Sequence, residues 1–187
     1  LRARLRKLGV AENTLVAFCS DNGPEGNQNA PGRQGYFKGR KRSLYEGGVR
    51  VPSLVEWPAR IKPGTSSKVA TCTVDYFPTI LDLVGIEMPD DRPLDGISLV
   101  PLFEGSLESR PSPLGFHIRG QAAWHDGDWK AYCSKVNSHQ WELYNLKDDP
   151  HEKKNRAADK LQKLQVMVEA WEKWKASVEA SDKGGDY

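Results

Sequence analysis

Two residues with metal-binding side chains, Asp21 and Asn22, directly follow an apolar run of strand length, LVAFCS at 15–20. Carboxylate and amide oxygens are hard ligands of the kind Ca²⁺ and Mg²⁺ prefer, and α/β sheets carry ligand sites at the carboxyl ends of their strands. Asp-Asn-Gly is also a common turn, because Asx side chains bond nearby backbone groups and Gly23 can adopt a positive φ. Calcium takes about six to eight oxygens, so two residues alone cannot complete a site.

A second candidate is the basic cluster KGRKR at 38–42, which precedes a Gly-Gly pair. Lysine and arginine in a loop can donate hydrogen bonds to a sulfate, phosphate or carboxylate. The alternative is a solvated basic loop that binds nothing. Only Tyr36, Phe37 and Tyr45 flank the cluster, and no recognised nucleic-acid-binding module surrounds it. Nucleic acid is therefore not expected as a partner.

The elements that must position these residues follow from hydrophobic patterning. The continuous apolar run 15–20 predicts a buried, parallel strand, and 49–57 predicts a second strand. The loop 25–42 between them is longer than an ordinary connection, which is typical of functional loops. Apolar residues spaced three and four apart predict a helix over 74–84, ending at Gly85.

The remainder of the sequence predicts a different architecture. Segments between 114 and 146 alternate polar and apolar residues, and Asp126-Gly127 is a tight hairpin signal. Helical spacing over 159–178 predicts a long closing helix. We therefore expect an α/β domain over 1–112 and a small antiparallel β subdomain with its helix over 113–187.

Composition sets the limits on these interpretations. The chain has 187 residues, with 38% hydrophobic and 28% charged residues and six tryptophans. Its mean hydropathy is −0.64, which favours a folded globular chain over a membrane-embedded or disordered one. No run approaches the ~20 apolar residues of a membrane span, so no membrane partner is expected. The formal net charge of +2 gives no global reason to expect a polyanion partner.

The cysteines and the start of the chain give two further expectations. The three cysteines lack zinc-site spacing, and their odd number cannot form a closed disulfide framework. The basic, leucine-bearing segment 1–9 runs straight into a strand without preceding structure to pack on, which predicts a part of a longer protein. Such a part should expose a strand edge and apolar surface, so we expect oligomerisation or marginal stability of the isolated chain.

Taken in order, the motifs of the chain closely resemble the C-terminal half of the sulfatase family. The combination is specific, whereas SDNG alone would be a weak signal. The motifs are SDNGP at 20–24, GRKRSLYEGGVRVP at 39–52, VDYFPTILDLVGI at 74–86, DGISLVPLFEG at 95–105, DGDWK at 126–130 and ELYNLKDDPHEKKN at 142–155.

The resemblance implies a fold and a site. Sulfatases have an alkaline-phosphatase-like α/β fold and hydrolyse sulfate esters around one divalent metal, usually Ca²⁺. By resemblance, Asp21 and Asn22 would be metal ligands for Ca²⁺ in preference to Mg²⁺. Lys41, five residues before Glu46, would be the catalytic lysine that contacts the substrate sulfate and stabilises the developing charge. The other basic residues of 38–42 would support it or remain solvated.

The resemblance also implies a nucleophile that this sequence does not contain. The family nucleophile is a formylglycine made from Cys or Ser in a Cys/Ser-x-Pro-x-Arg motif, and none of Cys19, Cys72 and Cys133 has proline two residues later. We therefore expect the formylglycine in a missing N-terminal half of the same protein, which would be the partner of this chain. The chain alone should be inactive. A periplasmic, secreted or lysosomal location is the family expectation.

Two other functions remain open from the sequence. The chain could be a non-catalytic module that binds sulfated glycans or other anions through its basic loop. It could also be a phosphatase or phosphodiesterase relative on the same fold. Within the sulfatase hypothesis, aryl, steroid and glycan sulfate esters are all candidate substrates.

Overall fold

The computed structural model describes residues 1–27, 29 and 32–186. Gln28, Ala30 and Pro31, which belong to the predicted loop 25–42, lie outside the described residues, as does Tyr187. The helices and strands in chain order are α1 (Arg2–Lys7), β1 (Val16–Cys19), α2 (Glu46–Val49), β2 (Ser53–Glu56), α3 (Tyr76–Val84), α4 (Val100–Phe103), β3 (Leu114–Ile118), β4 (Gln121–Asp126), β5 (Trp129–Cys133), β6 (Trp141–Asn145) and α5 (Leu161–Asp182).

None of the described helices is both long enough and apolar enough to cross a membrane.

The chain divides into two compact units. The predicted domains 1–112 and 113–187 stay a prediction. Unit 1 comprises residues 1–21, 52–89 and 96–110, and unit 2 comprises residues 22–51, 90–95 and 111–187.

In unit 1, β1 and β2 form a two-stranded antiparallel sheet. The prediction of a buried, parallel strand over 15–20 was wrong. Phe18 lies opposite Leu54 across the pair, and these side chains are 62% and 67% exposed. An unbroken apolar run is typical of a strand buried on both faces, but here neither of these side chains is covered.

Asp75 organises the helical part of unit 1. It ends a short 3₁₀ turn, Thr73–Asp75, that leads into α3, and the predicted helix over 74–84 is confirmed from residue 76 onward. The fully buried Asp75 carboxylate accepts hydrogen bonds from the backbone N–H groups of Cys72 and Ile97. It also accepts two from the Arg110 guanidinium, at 2.8 and 2.9 Å. This pairing offsets the cost of burying the charge.

Unit 2 is built on a four-stranded antiparallel sheet in the order β3-β4-β5-β6. Asp126 pairs with Trp129, so Gly127 and Asp128 form the two-residue hairpin turn, as predicted from Asp126-Gly127. The long closing helix is also confirmed, since α5 spans the predicted 159–178 from residue 161 and continues to Asp182.

One face of this sheet packs against α5. The Trp171 indole is 2% exposed and its Nε1 donates to the carbonyl of Phe116 at 3.1 Å. At Gly115, any Cβ would collide with the Trp174 ring, so the close approach of helix and strand requires glycine there. The buried cluster on this face is Ala122, Trp124, Ala131, Cys133, Leu143, Leu164, Met167 and Trp171.

The opposite face of the sheet is unusually polar for a covered surface. Successive residues of each strand point to opposite faces of the sheet, so every second residue lies on this face. Residues 38–49 pack on the same face through Leu44 and Tyr45. This polar face therefore receives the segment that contains the predicted site lysine. Its residues include Gln121, Ala123, Lys130, Tyr132, Glu142 and Tyr144.

Candidate functional site

Within unit 2 the backbone brings Asn22 and Lys41 onto neighbouring chain segments. The Lys41 N–H donates to the carbonyl of Pro24 at 3.2 Å, and the Gly23 N–H donates to the carbonyl of Gly48 at 2.8 Å. Asp21 is exposed and is the last residue of unit 1 before the chain enters unit 2. Backbone hydrogen bonds thus join the segments that carry two of the three predicted site residues, Asn22 and Lys41, while the chemical roles of all three stay predictions.

Glycines make this close approach of backbones possible. A Cβ at Gly23 would collide with the carbonyl of Gly47, and one at Gly48 would collide with the carbonyl of Ser43. A Cβ at Gly47 would likewise meet the carbonyl of Gly39. Glycine is therefore required in the EGG motif, because α2 lies in direct backbone contact with the 22–24 turn and with residues 38–45, which we call the lysine loop.

The Lys41 side chain is partly exposed and faces a carboxylate. Its Nζ lies 3.3 Å from Glu25 Oε2, with 37% of the side chain exposed. Arg42 Nη1 donates to the other oxygen of Glu25 at 2.6 Å. Desolvation alone would raise the pKa of Glu25. The Gly26 N–H, Lys41 and Arg42 outweigh it and lower that pKa overall, so the carboxylate is ionised at neutral pH.

The other basic residues of the cluster serve the loop itself. Arg40 Nη1 donates to Gln34 Oε1 at 2.6 Å, and its Nη2 donates to backbone carbonyls of the same loop. Lys38 Nζ donates to the Tyr144 hydroxyl at 3.1 Å and lies 3.8 Å from the centroid of the Tyr45 ring. A cation over an aromatic ring is stabilised by the ring quadrupole. Lys38 therefore holds the loop against the sheet, and Arg40 stabilises the conformation of the loop.

Tyr45 fixes the end of the lysine loop to the sheet. Its ring centroid lies 3.9 Å from that of Tyr132, and its hydroxyl donates to Glu142 Oε2 at 2.6 Å. Burial and the hydrogen bond to Glu142 raise the pKa of Tyr45 far above its ordinary value. The hydroxyl thus stays a protonated donor at any physiological pH.

Gln121, the first residue of β4, holds the middle of the same loop. Its Nε2 donates to the carbonyl of Arg42 at 2.7 Å, while its Oε1 accepts the Leu44 N–H at 3.3 Å. Arg42 adopts a φ of 74°, which non-glycine residues rarely take. The Gln121 amide therefore stabilises the bend that directly follows Lys41.

A buried ion cluster supports the start of α2. Lys130 Nζ donates to Glu46 Oε1 at 2.9 Å and lies 3.0 Å from Glu152 Oε1. The second distance is an ion-pair contact without hydrogen-bond alignment, while Glu152 Oε2 accepts the Glu46 N–H at 2.7 Å. Burial raises the pKa of Glu152, and the Lys130 charge offsets this only in part.

Sequence reasoning missed the residues on and next to the sheet that support the lysine loop and α2. Gln121, Lys130, Glu142 and Glu152 look like solvated residues of polar strand faces and turns. The available signal was that Lys130 and Tyr132, two residues apart on β5, share one face of the sheet, and a large aromatic residue on that face indicates that it is covered.

The donor set of Asp21 and Asn22 fits a hard cation in kind. The two side chains offer carboxylate and amide oxygens. The Asn22 Nδ2 donates to the carbonyl of Gly23 at 3.0 Å, which fixes the orientation of the amide. Among the described residues no group of three or more His, Cys, Asp and Glu could hold a metal. The role of Asp21 and Asn22 as metal ligands therefore stays a prediction.

Comparison with known proteins gives the family. A family model described as N-sulphoglucosamine sulphohydrolase, C-terminal, matches residues 32–179. Mouse (Mus musculus) steryl-sulfatase is 41% identical over 147 residues, which cover 72% of this chain and 24% of the relative. Human (Homo sapiens) arylsulfatase A is 37% identical over 139 residues, covering 71% of this chain and 27% of the relative.

Solved structures agree with this result. The crystal structure of Ps i-CgsB in complex with k-i-k-neocarrahexaose superposes with a TM-score of 0.81 at 32% identity, covering 94% of this chain and 39% of that one. The similarity confirms the expected alkaline-phosphatase-like α/β class. The chain spans about a quarter of the length of the curated relatives it matches. The chain belongs to the sulfatase family and corresponds to the C-terminal portion of its members.

Proposed function

We propose that these 187 residues are the C-terminal portion of a sulfate-ester hydrolase, with Lys41 contacting the sulfate and Asp21 and Asn22 helping to hold a divalent cation. The observation that carries the proposal is the hydrogen bond from the Lys41 N–H to the carbonyl of Pro24. It holds the lysine loop against the turn that begins with Asn22. A lysine and a hard-oxygen donor on adjacent backbones suit an anionic ester bound to a cation.

Lys41 would act through its charge and its donors. Its ammonium group is compact, partly exposed and offers three hydrogen-bond donors, so it can hold a sulfate oxygen and offset charge that develops as the ester bond breaks. When bound, Ca²⁺ would polarise the sulfate oxygens, with Asp21 and Asn22 among its ligands. An arriving sulfate would compete with the Glu25 carboxylate for Lys41.

The proposal assigns the nucleophile to polypeptide outside these residues. No Cys/Ser-x-Pro-x-Arg motif occurs in the sequence, and a formylglycine would have to come from the N-terminal half of the same protein. The isolated chain should therefore hydrolyse no sulfate ester. A periplasmic, secreted or lysosomal compartment is part of the same proposal.

Two alternatives are weaker. A purely electrostatic anion-binding module would need several uncommitted basic side chains, whereas Lys38 and Arg40 are held by Tyr144 and Gln34. Family membership favours sulfate esters over phosphate esters. The substrates we propose are aryl or glycan sulfate esters, since the matched proteins include human arylsulfatase A and Ps i-CgsB solved with k-i-k-neocarrahexaose.

A fusion experiment tests the proposal. The 187 residues would replace the matched portion of human arylsulfatase A, and aryl sulfate hydrolysis would be followed with and without chelator. We expect metal-dependent turnover, and Lys41→Ala should lower kcat by about 100-fold or more because a charge-stabilising donor is lost.

Lys62→Ala, which removes an exposed lysine of unit 1, is the matched control and should leave turnover unchanged. The isolated 187-residue chain should show no hydrolysis. Metal-dependent turnover by the isolated chain, abolished by Lys41→Ala, would contradict the assignment of the nucleophile to other polypeptide. Equal activity of the Lys41→Ala and Lys62→Ala fusions would contradict the role of Lys41.

A further inference from the structure

Glu46, Lys130 and Glu152 form a buried ion cluster at α2, and burying these charges carries a desolvation penalty. Lys130 and Glu152 are each 1% exposed, and Glu46 is 7% exposed. The cluster contains two carboxylates and one ammonium group, so it carries one excess negative charge. The nearest further cation is Arg50, whose Nη1 lies 3.6 Å from Glu46 Oε2. Buried ion pairs are weak evidence for stability, because well-packed apolar residues are often equally stable in their place. A directional role explains the cluster better than a stabilising one.

Glu152 is held in an uncommon conformation within this cluster. It takes a φ of 53°, in the left-handed region that non-glycine residues rarely adopt. In that conformation one carboxylate oxygen accepts the Glu46 N–H and the other lies against Lys130. The carboxylate thus fixes both the backbone and, through Lys130, the side chain of Glu46.

A short chain of contacts leads from this cluster to the candidate site. Glu46 begins α2, and the next residue, Gly47, donates its N–H to the carbonyl of Lys38 at 2.7 Å. Gly48 then accepts the N–H of Gly23. The two backbone segments that hold Asn22 and Lys41 are therefore both hydrogen-bonded to the first turn after Glu46.

We propose that Lys130 and Glu152 are positioning residues, which act through Glu46 to hold the lysine loop and the Asn22 turn in register with each other. Their effect on the chemistry of the site rests on the proposed function, but their effect on the backbone does not. The cluster links the sheet to α2 by directed charge contacts, which an apolar plug could not reproduce.

Hydrogen exchange on the full 187-residue chain tests the proposal. The variant Lys130→Met with Glu152→Gln removes one charge of each sign. We expect the amides of Gly23, Lys41 and Gly47 to exchange about tenfold faster or more, while amides of α5 keep their protection. Leu164→Ala, which opens the opposite face of the sheet, is the matched control and should instead affect α5.

Unchanged exchange at the three amides, or a uniform increase throughout unit 2, would overturn the proposal. Should the double variant fail to fold, Glu152→Gln alone keeps an acceptor for the Glu46 N–H and removes one charge. It should accelerate the same amides to a smaller extent, and no acceleration would again overturn the proposal.

Sulfate titration by calorimetry, with Ca²⁺ present, separates this proposal from the proposed function. If the parent chain binds sulfate, the double variant should weaken binding by about tenfold or more, since small misplacements of a binding group are costly. Leu164→Ala should not weaken it at a temperature where both remain folded. Accelerated amides without sulfate binding by the parent chain would support the positioning role alone, and the activity of the Lys41→Ala fusion would then decide the sulfate role.

Discussion

The two units differ in what they bury. Unit 2 buries a continuous apolar cluster between its sheet and α5. Among the described residues of unit 1, Leu99 is the single buried hydrophobic residue, and its neighbours in burial are the polar Asp75 and Thr79. Unit 1 is thus organised by hydrogen bonds and the Asp75–Arg110 ion pair, and unit 2 by hydrophobic packing.

The location of the apolar side chains of unit 1 makes the difference sharper. Several of them are more than half exposed, which is unusual for adjacent large hydrophobic residues. Since burial of apolar surface is the main favourable term in folding, we infer that unit 2 carries most of the stability of the chain. The exposed residues of unit 1 include Phe18, Leu54, Phe77, Ile80, Val84 and Ile86.

The strongest test of this comparison is a pair of aromatic truncations. Trp171→Ala should lower the free energy of unfolding by about 3–5 kcal/mol, because a buried indole is replaced by a cavity. Phe77→Ala in unit 1 should cost less than about 1 kcal/mol, since that ring is already half exposed. Urea unfolding followed by circular dichroism measures both.

Tryptophan fluorescence serves as the internal control, because Trp57 alone of the tryptophans lies in unit 1. The fluorescence transition should therefore follow unit 2. Equal losses for the two variants would refute the unequal distribution of stability.

The second test uses the buried carboxylate of unit 2. Burial raises the pKa of Glu152 above its ordinary value of 4.5, so the folded chain holds that proton more tightly than the unfolded chain. The contribution of Glu152 to stability is fully present below pH 4.5 and is lost as pH rises through the raised folded value. Glu152→Gln should remove this decline, whose slope cannot exceed about 1.4 kcal/mol per pH unit.

The measurement is urea unfolding of the parent chain and the variant across pH 4 to 8. The difference in unfolding free energy between them should change with pH in the direction that favours the variant as pH rises. Glu142→Gln on the same face is a control for loss of a carboxylate. A pH-independent difference for Glu152→Gln would show that the folded chain does not favour the protonated carboxyl.

Local signals carried the successful predictions from sequence. Asp126-Gly127 specifies its own turn, Gly85 ends α3 in a left-handed conformation with φ 66°, and the spacing over 159–178 requires only one continuous helix. The pairing of β1 with β2 was not predictable in the same way. A strand pattern does not identify its partner, and the continuous run at 15–20 favoured burial on both faces.

The candidate site also combines features that local sequence predicts with features that depend on distant residues. The spacing of Lys41 from Glu46 is visible in the sequence, and family resemblance gives it meaning. The helix α2 over two glycines runs against helix propensity, and is selected by backbone contacts with distant segments. The burial of Lys130 depends on two carboxylates that lie 84 and 22 residues away in the sequence, Glu46 and Glu152.

The third test concerns the exposed strand pair of unit 1. Phe18 and Leu54 lie side by side across β1 and β2, and an uncovered apolar strand pair favours association between chains. The isolated chain should self-associate at micromolar concentration. Phe18→Glu with Leu54→Lys, which places opposite charges across the strands, should shift it toward monomer in sedimentation velocity. A parent chain that is monomeric at every concentration would contradict the prediction that the exposed strand pair drives self-association.

The smallest expected effect is that of a substitution at Glu25, in the exposed part of unit 2 next to the lysine loop. Glu25 holds Lys41 and Arg42 with a carboxylate that is half exposed. An incoming sulfate must compete with it, so Glu25→Gln should raise sulfate affinity a few-fold, because solvent-exposed ion pairs are weak. Calorimetry at low and high salt measures this, and the gain should shrink as salt screens both anions.

Glu12→Gln, on an exposed residue of unit 1, makes the same change in net charge at a distance along the chain and is the matched control. If both variants raised sulfate affinity equally, the effect would be one of overall charge. If Glu25→Gln instead lowered the affinity, the carboxylate would be orienting Lys41 toward the anion. In that case the edge of unit 2 would depend on directed charge contacts in the same way as its buried cluster at Lys130.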